Sequence, residues 1–205
     1  TLAFNMQDVL LEPYGGEILG LSVSATTLLT AAWASGALVA FGMAARWLGQ
    51  GRDPYRMAAK GLLSGVVAFS AVIFAAPLES APLFFAGAAG IGFGGGLFAI
   101  ATLTAAMTMP AKGLAGRGLA LGAWGAAQAT AAGIAIFAGG AIRDAVAATS
   151  LPDTLGPATG YSMVYHVEIA LLFATLAVLG PLVKLGTYRK PEPAQRSIGL
   201  ADLPT

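Results

Sequence analysis

An all-α, polytopic membrane protein of six spans is the fold class this sequence predicts, and three observations carry the prediction. The chain is 57% hydrophobic and only 10% charged, where soluble domains carry about 25% charged residues. Its mean hydropathy is +0.75. Ten of its eleven Lys and Arg residues fall in three clusters separated by long apolar runs. Those clusters are Arg46, Arg52, Arg56 and Lys60, then Lys112 and Arg117, then Lys184, Arg189, Lys190 and Arg196. Arg143 stands alone among the acidic or neutral turns that alternate with them. Such alternation is the positive-inside pattern, which puts the clusters and the C-terminus in the cytoplasm. A net charge of +1 offers no basic field for nucleic acid. The sequence has no cysteine, so disulfides and thiol chemistry are excluded.

A spanning helix needs about 20 apolar residues. The first segment, about 1–14, falls short of that and is closed by Pro13 and Gly15–Gly16, which predicts a first helix truncated at the chain start. The second span is read over about 24–48, the third over about 57–76 and ended by Pro77, and the fourth over about 82–109. Pro82 suits a helix start and Pro110 a stop. The fifth span covers about 118–142 and the sixth about 161–185. Residues 150–160, with Pro152, Asp153, Gly156 and Pro157, form an outer loop. The organisation is one bundle over 1–187 and a Pro-containing tail over 188–205, of the polar composition expected of a flexible segment. Trp47, Tyr161 and Tyr165 sit near span ends as interfacial aromatics do; Trp33 does not fit that belt.

Small residues predict close helix packing, because without a hydrophobic drive in lipid the approach of backbones carries association. In the fourth span Gly92 and Gly96 have this spacing, as do Gly90 and Gly94; in the fifth, Gly122, Ala126, Ala129 and Gly133 share a face. Polar side chains at membrane depth are the functional pointers. Asn5, Asp8 and Glu12 form one stripe on the first helix, suited to line a cavity, bind a cation or trap a proton, unless the two acids simply sit at a wet interface. His166, the sole histidine, lies about two turns into the sixth span. It is read as an interfacial side chain or as a ligand for the magnesium of a chlorin. Gln128, near the middle of the fifth span, is an interhelical hydrogen-bonding group or a substrate contact. No GxSxG, HExxH or Walker loop occurs, so no catalytic residue and no protein metal site is assigned. The glycines from Gly90 to Gly94 lie inside a span with no preceding strand, which excludes a dinucleotide loop.

Six spans with a basic loop between the second and third resemble half of a major facilitator protein. Gly42, Arg46 and Gly49 match the frame of that superfamily's G-x-x-x-D-R-x-G loop, with Arg46 where the acid should stand. A sharper resemblance begins at Ala3–Gly20, AFNMQDVLLEPYGGEILG, and continues through Gly90–Leu103, Leu121–Gly133, Gly139–Asp144 (GGAIRD) and Gly160–Phe173 (GYSMVYHVEIALLF). These strings are similar to the PucC/LhaA family of phototrophic bacteria. The resemblance implies a major facilitator fold of which this chain is the C-terminal half. It implies an inner or photosynthetic membrane location, and as partners the missing N-terminal half, antenna polypeptides and reaction-centre or antenna assemblies. It also implies the handling of bacteriochlorophyll. An assembly factor without enzymatic activity is the function expected from it. A proton-coupled transporter using Asp8 and Glu12 stands as the alternative, followed by an enzyme of late bacteriochlorophyll synthesis.

Overall fold

Helix starts are set by polar caps placed before apolar runs. Ser22 accepts the Ala25 N–H, Asp53 the Tyr55 N–H and Ser80 the Leu83 N–H, each satisfying a donor that a helix N-terminus leaves unpaired. Pro54 and Pro82 follow two of these caps in the first turn, where the missing N–H costs nothing. The computed structural model describes residues 1–108 and 113–185. Its helices are α1 (Leu2–Asn5), α2 (Leu11–Glu17), α3 (Val23–Gly49), α4 (Pro54–Ala75), α5 (Ala81–Met107), α6 (Gly113–Ala147), α7 (Leu151–Leu155) and α8 (Thr159–Leu185). A 3-10 turn, Met6–Val9, joins α1 to α2.

Five of these helices are long and apolar enough to cross a membrane: Val23–Gly49, Pro54–Ala75, Ala81–Met107, Gly118–Ala147 and Thr159–Val183. The protein is therefore a multi-pass, all-α membrane protein, with no strand among the described residues. Three expectations need correction. The first segment is not one helix closed at Tyr14: it breaks into α1, the 3-10 turn and α2, and continues to Glu17. Pro13 does not end it, because Pro13 falls in the first turn of α2 where no intrahelical N–H is needed. The outer loop is also partly ordered, since Ser150, Pro152 and Asp153 start the short α7. The proposed stop at Pro110, Lys112 and the tail 188–205 lie outside the described residues.

The central helix is α5, held between α3 and α4. Glycines make this possible. A methyl group added at Gly94 would stand 2.7 Å from the Gly61 carbonyl, and one at Gly61 the same distance from the Gly94 carbonyl. On the other face Gly92 lies against the Trp33 backbone and Gly96 against Ala37 and Ala40 of α3. Meanwhile α8 covers α4, and α6 lies against α8 and the 3-10 turn. The core this creates contains Phe4, Met6, Tyr14, Leu29, Phe69, Val72, Phe84, Ile91, Leu97, Tyr161, Tyr165 and Leu172, all almost fully buried. Large apolar side chains such as Val67, Phe137 and Val178 point outward, which lipid tolerates as water does not.

Gly122 and Gly133 behave differently from Gly92 and Gly96. Nothing lies within 4 Å of a side chain added at either, and both are exposed. Their expected packing role is not fulfilled within the described chain, because α6 turns Ala135 and Gly139 toward its neighbours instead: Ala135 is fully buried and Gly139 lies against the Met6 backbone.

Candidate functional site

The broken first segment is where polar chemistry gathers. A 3-10 turn leaves backbone N–H groups without their α-helical partners, and at membrane depth each must be satisfied by protein. The Gln7 N–H donates to Oε1 of Glu168 on α8 at 2.9 Å, across a sequence separation of 161 residues. Both residues are buried, with 2% and 0% of their surface exposed. The Gln7 side-chain amide donates to the Phe4 carbonyl at 3.3 Å and to Asp8 Oδ1 at 2.5 Å. Glu168 Oε2, Gln7 Oε1 and the Tyr165 hydroxyl are buried without a hydrogen-bond partner. A buried, under-satisfied polar cluster is costly, and such clusters at a helix break mark functional sites in membrane proteins.

One turn further on, aromatics lock α2 in place. The Tyr14 ring meets Phe84, Tyr161 and Tyr165 at centroid distances of 5.1, 5.3 and 5.7 Å, and its hydroxyl donates to the Val72 carbonyl at 3.3 Å. Gly15 fits closely here: a methyl group would stand 3.1 Å from the Leu29 and Phe84 side chains. At the end of α2, Glu17 Oε2 accepts from Arg143 Nη2 at 2.8 Å and from the Tyr161 hydroxyl at 2.6 Å. Arg143 also pairs with Asp144 at 2.9 Å and lies over the Tyr161 ring at 5.0 Å. The lone base outside the three clusters is thus neutralised by two carboxylates.

Two cavities open on the other side of the broken segment. The larger, of about 430 Å³, is walled by Phe4, Trp33, Phe41 and Phe98 and carries Thr1, Asn5, Asp8 and Gln128 as its polar residues. The smaller, of about 220 Å³, is lined by Gln7, Asp8, Leu11, Glu12, Thr30 and Trp33. Asp8 and Trp33 border both. Glu12 accepts a hydrogen bond from the Thr30 hydroxyl at 2.7 Å. The structure therefore brings Asn5, Asp8 and Gln128 to one cavity, between the first segment, α3, α5 and α6, and Asp8 and Glu12 to its neighbour. Trp33, unplaced by the interfacial-belt reading, is a wall of both cavities.

His166 is not brought to this region. It lies exposed on α8, with Nδ1 2.7 Å from the Ser162 carbonyl. A carbonyl only accepts, so Nδ1 is the donor in this contact, and Nε2 is the ring nitrogen left to meet a metal. Gly42, Arg46 and Gly49 are exposed along the last turns of α3, away from the cavities. No group of three or more His, Asp or Glu residues able to hold a metal ion occurs among the described residues.

Glu168 and Gln7 are the residues that sequence reasoning passed over. Both stand inside strings noticed for their resemblance, Gln7 in Gln7–Gly16 and Glu168 in Gly160–Phe173. A glutamate at mid-span was a signal in itself. What the structure adds is that three distant strings, Ala3–Gly20, Gly139–Asp144 and Gly160–Phe173, converge: Gln7 meets Glu168, and Glu17 meets Arg143 and Tyr161.

Comparison with known proteins identifies the family. The family described as PUCC protein matches residues 1–187. The chain is 59% identical to an uncharacterized protein in the puhA-bchM intergenic region of Rhodobacter capsulatus, over all of this chain and 44% of that protein. It is 47% identical to Protein PucC of Cereibacter sphaeroides, over 90% of this chain and 40% of that protein. It is 32% identical to the bacteriochlorophyll synthase 44.5 kDa chain of Rhodobacter capsulatus, over 92% of this chain and 44% of that protein. The chain thus spans less than half the length of the curated relatives it matches. No solved structure matches it. With its whole helical bundle covered by one family, the chain belongs to the PucC family.

Proposed function

We propose that this chain is half of a membrane assembly factor for bacterial light-harvesting antenna, and that it holds bacteriochlorophyll beside antenna polypeptides without itself catalysing a reaction. Membership of the PucC family supports a role in the photosynthetic apparatus. The observation that carries the finer reading is the larger cavity. Its wall is mostly aromatic and small apolar side chains, and Asn5, Asp8 and Gln128 supply a few convergent polar groups. That is the composition of a site for a large amphipathic ligand, and a chlorin ring with polar substituents fits the description. The cavity also borders Ala129 and Ala132 of α6, beside the small-residue face that holds Gly122 and Gly133. An antenna helix or a flat ring can approach closely there. His166, on the outer face of α8, is a separate place where Nε2 could take a magnesium ion from the lipid side.

A deletion strain complemented with variants tests this reading. Loss of the protein lowers antenna while free bacteriochlorophyll synthesis continues. Complementation with Ala129→Trp, which fills the cavity, restores less antenna than wild type. A deletion strain that makes normal antenna but accumulates a pigment precursor would replace this reading with the enzymatic one, which the name of the 32% identical relative keeps in play.

The broken helix favours a second reading. Discontinuous helices with carboxylates at membrane depth line the substrate sites of secondary transporters, and Asp8, Glu12 and Glu168 have that setting. Uptake of substrate into proteoliposomes driven by a proton gradient, and lost in Asp8→Asn with Glu12→Gln, is the result that would favour transport.

A further inference from the structure

The turn between α3 and α4 builds a second site, at the opposite kind of surface from the polar cavities. Gly51 adopts φ +75, and the Arg52 N–H returns to the Trp47 carbonyl at 3.1 Å. The chain therefore reverses tightly and lays Arg52 back over the helix it has just left. The Arg52 guanidinium sits 5.3 Å from the centre of the Trp47 ring, and the Lys60 ammonium, nearly two turns into α4, sits 5.0 Å from the same ring. Together with Arg56, Asp53 and Met57 they enclose a cavity of about 320 Å³. Three cations and one carboxylate line it. Of the carboxylate, Oδ1 accepts the Tyr55 N–H at 2.9 Å, while Oδ2 is buried without a hydrogen-bond partner and lies 3.8 Å from Arg56 Nε. Among the described residues neither Arg52 nor Lys60 pairs with a carboxylate. Two cations drawn over one indole have their mutual repulsion relieved by an anion placed between them.

The surface beyond the cavity says what kind of anion. On α4, Arg56, Lys60, Leu63, Val67 and Phe74 fall within one narrow face at 100° per residue. The last three are among the exposed large hydrophobics, at 53%, 71% and 58%. From Leu63 to Phe74 the apolar stripe runs about 16 Å at 1.5 Å per residue, against about 15 Å for one leaflet's hydrocarbon. Basic groups at one end and an outward apolar stripe of leaflet length below them have the shape of a phospholipid. A soluble phosphate would need only the first part.

We propose that the Trp47–Arg52–Arg56–Lys60 cavity holds the phosphate headgroup of an anionic phospholipid whose acyl chain lies along Leu63, Val67 and Phe74. The face is the one that the charge asymmetry assigns to the cytoplasm, where anionic headgroups attract basic clusters. The site goes beyond the antenna reading and does not depend on it.

Tryptophan quenching by brominated lipids tests the proposal. The full chain carrying Trp33→Phe and Trp124→Phe, so that Trp47 is the only reporter, is reconstituted in phosphatidylcholine vesicles. Brominated phosphatidylglycerol or brominated phosphatidylcholine is then titrated in. The expected result is preferential quenching by the anionic lipid. Arg52→Gln with Lys60→Gln lowers that preference about thirtyfold, at about 1 kcal/mol for each of the two bases near an anionic surface and about 1.4 kcal/mol per tenfold. Arg52→Lys with Lys60→Arg retains it, which separates lost charge from a damaged fold. Equal quenching by both lipids, or an unchanged preference in the Gln pair, would mean that the bases only mark a membrane surface. Displacement of the brominated lipid by inorganic phosphate at matching concentration would assign the cavity to a soluble anion. Either result overturns the proposal.

Discussion

Replacing Glu168 should loosen the first segment at one amide in particular. In the native bundle the Gln7 N–H has Glu168 Oε1 as its partner at 2.9 Å, and both groups are buried. Glu168→Leu keeps the side chain's approximate volume but removes the acceptor. A buried amide left unpaired costs about 1–3 kcal/mol, while interhelical hydrogen bonds measured in membrane proteins average about 0.6 and reach about 1.7 kcal/mol. The overlap of the two ranges is about 1–1.7 kcal/mol. At about 1.4 kcal/mol per tenfold, the Gln7 amide should exchange with solvent about 5- to 15-fold faster. Glu168→Gln retains a carbonyl oxygen at the acceptor position and should show a smaller effect. Thr175→Ala, on the same helix, removes a hydroxyl that bonds only within α8, to the Leu171 carbonyl at 2.7 Å, and should leave Gln7 unchanged. Amide-resolved hydrogen exchange on the purified protein checks all three. The reasoning fails if Gln7 exchanges at the native rate in Glu168→Leu, or if Glu168→Gln perturbs it as strongly as leucine does.

Three further outcomes follow from the same geometry. Gly94→Leu drives a side chain into the Gly61 carbonyl and should lower stability in detergent by at least the about 1–3 kcal/mol of an overpacked core, whereas Gly42→Leu, with open space beside it, should be neutral in a thermal denaturation assay. A double-mutant cycle on Glu17→Gln and Arg143→Gln should give a coupling of about 0.5–1 kcal/mol, the range for a partly exposed pair, and that coupling should shrink at high salt. Single cysteines at Gln50 and Gln195 should react only with reagents that reach the cytoplasm and one at Thr154 only from outside; labelling of Gln50 and Thr154 from the same side would break the topology.

Periodicity and charge made the long helices legible. Runs of about 20 apolar residues between basic clusters leave few other solutions, and Pro82 marked one start; the caps Ser22, Asp53 and Ser80 came with the structure. Arg143 was the exception to the charge rule, and only the fold explains it, through Glu17 and Asp144. The polar stripe of Asn5, Asp8 and Glu12 was visible from spacing alone, since a 3-10 turn rotates Asp8 relative to an α-helix without carrying it off that face. The break itself was not visible. Nothing local in MQDV separates a 3-10 turn from an α-helix; the turn persists because Glu168, 161 residues later, takes the Gln7 N–H. For the same reason Gly122 and Gly133 looked like Gly92 and Gly96. Spacing shows which face of a helix is smooth, but which neighbour fills it depends on how α6 is rotated.

The account stands most directly on what the protein carries when it is taken gently from membranes that are making antenna. Mild solubilisation and purification, followed by pigment and polypeptide analysis, should recover bacteriochlorophyll and antenna polypeptides with the wild-type protein and less pigment with Ala129→Trp. His166→Leu should lower the pigment only if the exposed imidazole is a ligand. Recovery of the wild-type protein free of pigment and antenna, or bound to a biosynthetic precursor in place of finished bacteriochlorophyll, would contradict the account.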